Sequence, residues 1–414
     1  MTKSFYRRRI CVLCDSKDIK DVLSLKKTPL ANSYPVSQKI KEEYFPLTTT
    51  LCKSCGHLQL KEIVNPKKMF TNYLYVSGTS KVLVNHFKNY CSKMVSKFKL
   101  KKNVFILDIA CNDGTFLECF VKKKFKNVVG VEPAKNLRKI NKEKNIKINT
   151  IFFNEENSKI LYNKYKKFKL ITANNVFAHV PDLKSFALGV KNILDKQGVF
   201  VFEVSYLLDV INKLSFDTIY HEHMSYHALK PLIKFFDKLD MSVFDIDLIK
   251  AQGGSLRVYV CHKDTRKINK KKINKQITKE VNRGLFTVNL YKKYLQRMQN
   301  EMTNFQKFIK KYNSEYIFGF GAPAKLTTFS HFFKIRRNQI NSIVDDNKLK
   351  QKRFSPGHKF PIISFAKLKK LPCKIIIIFA WNFSESIILK LKKIYKGKNI
   401  QVVLPFPKLK VINL

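Results

Sequence analysis

Residues 104–120 read "VFILDIACNDGTFLECF": an apolar run of strand length, a turn of small and polar residues, then a helix opening near Thr115. The alternation continues beyond it. "VVGVEPA" (128–134) is a second strand ended by Glu132 and Pro133, and "KINTIFF", "KLITANNVF" and "GVFVFEVS" read as further strands separated by helical stretches. Strand and helix in alternation predict a doubly wound α/β sheet. Ligands of such sheets sit beyond the carboxyl ends of the strands, near the switch in strand order.

The turn chemistry narrows the ligand. An acidic residue ending the second strand, about 20 residues past a Gly-containing turn, is placed to accept hydrogen bonds from ribose hydroxyls, and Glu132 has that position. "DIACNDG" lacks the GxGxxG that brings backbone against a pyrophosphate, and presents Asp108, Asn112 and Asp113 before Gly114. Acidic and polar groups there suit a cationic, phosphate-free ligand, which points to S-adenosylmethionine rather than NAD. Asn174 and Asn175 end the fourth strand where they would face the cofactor, while His179 and Asp182 read as caps of the next helix.

Four of the nine cysteines fall into two CxxC pairs, Cys11 and Cys14 in "CVLC" and Cys52 and Cys55 in "CKSCG". Two such turns complete a tetrahedral sulfur shell suited to Zn²⁺, and four thiolates leave no open position, so the metal is expected to be structural. Gly56 suits a knuckle whose amides point at sulfur. Cys91, Cys111, Cys119, Cys261 and Cys373 show no pairing and read as core residues.

The chain of 414 residues suggests two or three domains. Its formal charge of +50 would fit a nucleic acid or an anionic surface. The cations, however, are 69 Lys and 11 Arg dispersed along a chain rich in Ile, Asn and Phe. That reads as a general residue bias, so nucleic acid is not expected as a partner, although attraction for anionic substrates remains. The longest apolar run, "IIIIFAW" (375–381), has the length of a buried strand and no membrane span. "MTKSFYRRRICVLC" lacks the apolar stretch of a secretory signal. A soluble, cytoplasmic, monomeric protein is the expectation.

"YHEHMSYH" (220–227) gathers histidine, glutamate and tyrosine types suited to a metal cage, a proton-transfer site or a structural cluster. In an extended segment Tyr220 and Glu222 would face one way, His221 and His223 the other. Further on, "AQGGSLRVYVCH" reads as a strand whose glycines permit close approach, and residues 265–312 carry an amphipathic, lysine-rich helix. "YIFGFGAPAKLTTFSHFF", "INSIVDDN", "KIIIIFAWN" and "IQVVLPF" predict a second, smaller Rossmann-like sheet. Its "GFGAPAK" turn brings Lys325 to a helix N-terminus, an arrangement that welcomes phosphate; Asp346 reads as a strand end.

Taken in order, the CxxC pairs, "LDIACNDGTFLECF", "VEPA", "NNVFAHVPDL", "YHEHMSYH", "GGSLRVYV", "GFGAPAK" and "VDDNKLKQKRFSPG" resemble the S-adenosylmethionine-dependent sugar C-methyltransferases over nearly the whole chain. The resemblance implies a class I methyltransferase Rossmann-like domain between a small zinc-binding domain and a second Rossmann-like domain, expected at 67–245, 1–66 and 246–414. It implies a nucleotide-linked keto-deoxysugar as substrate, held partly by the last domain at Arg257 and Lys325. Tyr220, Glu222, His223 and Tyr75 would be active-site residues, with His223 the base and Tyr73 a near miss beside Tyr75. One departure from the family is Ala110, where Gly is usual. Two rival readings remain: methylation of RNA, DNA or another small molecule, and a non-catalytic relative that has kept the fold.

Overall fold

The computed structural model describes residues 4–144, 146–250 and 253–414, apart from the side chains of Lys139 and Lys142. Near the N-terminus, β1 (Phe5–Arg7), β2 (Ile19–Thr28), β3 (Phe45–Cys52), β4 (Leu58–Leu60) and β5 (Glu62–Val64) form small antiparallel sheets. β1 pairs with β5, and β2, β3 and β4 lie side by side. Leu23, Leu25, Leu47 and Leu51 turn inward from β2 and β3 to make the core of this unit.

The middle of the chain supplies β6 (Phe105–Ile109), β7 (Asn127–Val131), β8 (Lys147–Asn149), β9 (Phe168–Asn174), β10 (Leu194–Ser205), β11 (Ser225–Tyr226), β12 (Met241–Ile249) and β13 (Ser255–His262). Seven of these build a sheet in the order β8-β7-β6-β9-β10-β13-β12, parallel except for β13. Strand order reverses between β6 and β9, which fixes the ligand position at their carboxyl ends. The short β11 stands apart. It joins the N-terminal sheet beside β4.

The strand expected to open the last unit belongs instead to this central sheet: β13 pairs with β10 from Phe200↔Val260 to Ser205↔Ser255. Ala251 and Gln252 of "AQGGSLRVYVCH" lie outside the described residues. Two helices, Lys270–Asn282 and Val288–Ile309, then lead to β14 (Ile317–Phe320), β15 (Ser342–Val344), β16 (Ile362–Ile363), β17 (Ile375–Ile378), β18 (Gln401–Leu404) and β19 (Lys410–Asn413). Their order is β16-β15-β14-β17-β18-β19, with only β19 antiparallel. The four buried isoleucines of β17 suit a strand covered on both faces. One apolar cluster runs through all three units, from Leu23 and Leu51 through Leu107 and Phe202 to Phe329 and Phe406.

Candidate active site

The switch points of both parallel sheets open onto one cavity of about 1240 Å³. A pocket for a single small molecule spans roughly 300–1,000 Å³, so this cleft has room for two. Asp108, Ala110, Asn112, Glu132, Asn174 and Asn175 line it from the central sheet. Gly321, Lys325 and Trp381 line it from the last sheet, and Asn32 reaches it from the N-terminal unit.

On the central side, burial pushes the Asp108 carboxyl up to about 7, against hydrogen bonds from Thr172 at 2.6 Å and Asn174 at 3.3 Å. The Oδ1 of Asn174 is buried without a partner. Glu132 accepts from the backbone N–H of Asn112 and of Ala134, each at 2.8 Å, which leaves each oxygen a further acceptor site. A desolvated carboxyl, an orphaned amide oxygen and an acidic strand end fit a cationic nucleoside and supply no donor set for a diphosphate. Ala110 and Asn112 hold φ of 55° and 54°, a left-handed turn unusual for alanine. Asp113 and Gly114, expected on the cofactor, do not line the cavity. Asp113 accepts instead from Gly78 N at 3.0 Å and Thr115 Oγ1 at 2.8 Å, tying the segment before the helix Lys81–Lys97 to the turn, and Gly114 caps the helix Thr115–Lys122 at φ 71°.

On the opposite wall, the "YHEHMSYH" turn splits its side chains three ways. His223 Nδ1 faces the Thr218 carbonyl at 2.7 Å, so it carries the proton; Nε2 then accepts from the Tyr220 hydroxyl at 2.9 Å. Burial, with help from the charge of Lys325, holds the His223 ring down at about 4, and the ring is neutral at physiological pH. Both His223 and Tyr220 line the cavity. Glu222 is only 2% exposed and stands behind the wall. It accepts from Asn32 Nδ2 at 2.7 Å and Tyr73 Oη at 2.9 Å, and burial raises it to about 7. His221 turns away to the Pro46 carbonyl at 3.0 Å, and His227 packs on His57 and Phe177.

Tyr73 touches the glutamate, and Tyr75 also lines the cavity, 6.4 Å from Tyr73 between ring centres. His179, read as a helix cap, instead faces the cavity with its ring 4.9 Å from that of His223; Asp182 alone caps the helix, accepting from Ser185 N at 2.9 Å. Sequence reading missed Asn32, Trp381 and Lys350, which line the cavity, Lys350 with its Nζ donating to the Ala322 carbonyl at 2.8 Å. Asn32 sits in an irregular loop with no motif, and nothing local marks it. Trp381 carries the one signal that could have been followed: it is the sole tryptophan and comes just after a buried strand.

Lys325 lines the cavity at the start of its helix, Lys325–Phe332. Its Nζ is buried beside the cavity without a hydrogen-bond partner, 4.4 Å above the Trp381 ring, whose Nε1 donates to Asp217 at 2.7 Å. Arg257 does not. It is 3% exposed within β13, pairs with Glu203 through Nε at 2.6 Å and through Nη2, and stacks 3.6 Å from the Tyr90 ring centre. Its register opposite Glu203 points it into the sheet layer, so it is unavailable to a diphosphate. Asp346 is exposed, pairs with Lys390 at 3.0 Å and stands on the rim of the same cavity.

Cys11, Cys14, Cys52 and Cys55 bring their sulfurs within 4.8 Å of one another, with the Cys11–Cys55 and Cys14–Cys52 pairs at 3.6 Å. A tetrahedron with Zn–S bonds of about 2.3 Å has edges of about 3.8 Å. The four sulfurs fit a structural zinc. Gly56 holds φ of 85°, and a Cβ there would lie 2.4 Å from Phe286.

Fold, cleft and thiolate cluster define a zinc-binding, S-adenosylmethionine-dependent methyltransferase. Three family models match in succession: a zinc binding domain over residues 11–70, a methyltransferase domain over 84–244 and a C-methyltransferase C-terminal domain over 250–407. The chain is a three-domain C-methyltransferase. The C-methyltransferase NovU of Streptomyces niveus is 25% identical over 407 residues, 97% of this chain and 96% of that protein. Among solved structures, an S-adenosylmethionine-dependent methyltransferase from Clostridium acetobutylicum is 15% identical, covering 44% of this chain and 92% of its own at a TM-score of 0.34. The PH0226 protein of Pyrococcus horikoshii is 14% identical, covering 48% and 98% at 0.35. No helix among the described residues is long and apolar enough to cross a membrane.

Proposed function

We propose that this C-methyltransferase acts on the carbon next to the ketone of a nucleotide-activated keto-deoxysugar, with His223 as the base. The observation that carries the reading is the fixed tautomer: Thr218 holds the Nδ1 proton, and the basic Nε2 belongs to a cavity-lining ring. A C–H beside a ketone needs a positioned base, and its electron pair moves to the ketone oxygen as the proton leaves. When bound, S-adenosylmethionine supplies an electrophilic methyl group to that carbon. Asp108, Asn112, Glu132, Asn174 and Asn175 hold the donor, Ala110 shapes its turn, and Lys325, unpaired at the other end of the cleft, meets the diphosphate. Tyr73 and Asn32, both fastened to Glu222, would bound the sugar, with Tyr75 beside them. Cytoplasmic location and a role in deoxysugar biosynthesis go with this reading. The expected boundary near 66 is retained as a functional division, and the one expected at 245 is placed beyond β13, which pairs with β10.

A second reading rests on the Tyr220 hydroxyl already occupying Nε2. In it the phenol oxygen takes the substrate proton as it passes its own to His223. Tyr220→Phe separates the two: activity survives if His223 acts directly and collapses as far as in a His223 variant if the proton travels through Tyr220. The parent experiment is a panel of nucleotide keto sugars incubated with S-adenosylmethionine and weighed for one added methyl group. Product on RNA or DNA alone would favour the rival substrate class. Absence of S-adenosylmethionine binding by calorimetry would favour a non-catalytic relative.

A further inference from the structure

A continuous hydrogen-bonded path joins the first cysteine knuckle to the catalytic turn. Gln59 in β4 has no exposed surface. Its side chain accepts from Val12 N at 2.8 Å and donates to the Ile10 carbonyl at 2.9 Å, grasping the backbone on both sides of Cys11. Its backbone pairs with Ser225, and Leu58 with Tyr226, so β11 exists as an added strand of the N-terminal sheet. Leu60 N donates to the Met224 carbonyl at 3.0 Å, and Arg8 Nη1 donates to the same oxygen at 3.1 Å. Met224 follows His223 in the chain. A two-residue strand cannot hold its own position. β4 does so, and β4 is held in turn by β3, which ends on Cys52.

We propose that Gln59 is a positioning residue: through β4 it passes the geometry of the metal-held knuckle to His223, so that loading of the thiolate site and ordering of the catalytic turn are coupled. The coupling itself needs no assumption about the substrate; only its kinetic consequence rests on His223 being the base. Removal of the Gln59 amide leaves two knuckle groups unpaired and lets β4 shift, and misplacement of a reacting group by about 1 Å costs on the order of 100-fold in rate.

The test compares zinc-loaded native protein, chelator-stripped native protein and the zinc-loaded Gln59→Leu variant by amide hydrogen exchange. Exchange across residues 223–227 should accelerate at least tenfold on stripping and in the variant, with S-adenosylmethionine affinity kept. Stripping the variant should add little, because both perturbations act on one path. Its kcat should fall roughly 10- to 100-fold with KM little changed. Asp21→Ala, which breaks only an exposed pair with Lys61, should change none of these. Unchanged exchange at 223–227 after verified metal removal overturns the proposal, as does loss of S-adenosylmethionine binding on stripping, since the metal would then support the whole fold. Should Gln59→Leu fail to fold, the stripped native protein decides. Exchange coupling together with native turnover in a His223 variant would leave the brace standing and refute the base.

Discussion

On the proposed mechanism, His223→Gln removes the base and little else. Glutamine can still donate an N–H toward the Thr218 carbonyl, now 2.7 Å from Nδ1, but its amide cannot accept a proton at working pH. Loss of a general base costs about 10²- to 10⁴-fold, or roughly 3–5 kcal/mol of barrier. The sharpest assay separates proton removal from methyl transfer. With S-adenosylhomocysteine present and no methyl donor, deuterium from solvent should enter the keto sugar beside its ketone. That wash-in should fall by the same factor as kcat, while S-adenosylmethionine affinity is unchanged. Burial holds His223 at about 4, below the usual imidazole range, so the ring is neutral above that value. The native rate should therefore stay level as pH falls through 6.5 and decline only toward 4 on account of this group. Native wash-in by the variant would refute the assignment.

Ala110 occupies a left-handed conformation that costs alanine roughly 1–2 kcal/mol; Ala110→Gly returns this minus the 0.4–1 kcal/mol of added chain entropy in the unfolded state. A small rise in melting temperature is expected, and a fall would show that the methyl group packs usefully. Asp108, raised to about 7 by burial, is protonated below that pH in the free protein, and its contribution to stability is lost as pH rises from the ordinary carboxyl range through 7. A bound sulfonium favours the ionised form, so S-adenosylmethionine affinity should strengthen between pH 6 and 8, and Asp108→Asn should abolish that trend in calorimetry. Lys325→Met should raise the acceptor KM by about tenfold or more, the loss of one charge-assisted contact, without altering donor affinity. Arg257→Met should leave KM alone and lower the melting temperature, because the buried Glu203 loses its guanidinium partner and is left with His86 at 2.8 Å; a raised KM would restore Arg257 to the substrate site.

Motifs with fixed local geometry were legible in the chain. Two CxxC turns foretell four converging sulfurs, and the turn after β6 with Glu132 at the end of β7 locates the cavity wall at the switch point, because strand, turn and switch point are set within a short stretch. Residues whose direction depends on distant partners were not. Arg257 lies on a strand, and only its register against β10 decides that it meets Glu203. Tyr73 and Tyr75 alternate on one segment, and the bond of Tyr73 to Glu222 joins positions far apart in sequence. Asn32 gains its place because Tyr34 bonds the Ala322 carbonyl at 2.6 Å, fastening a loop of the first unit onto the last. Asp113 looked like a ligand group by composition but serves the loop at Gly78.

β11 also sets limits on how the enzyme can be rebuilt. A graft that exchanged residues 1–66 for those of a relative would replace the strand on which Ser225 and Tyr226 lean, and the recipient's own turn would meet a foreign edge. Swaps meant to alter what is methylated should carry residues 216–228 along with the amino-terminal segment, because these two stretches, remote in the gene, form one inheritable piece of the cleft wall.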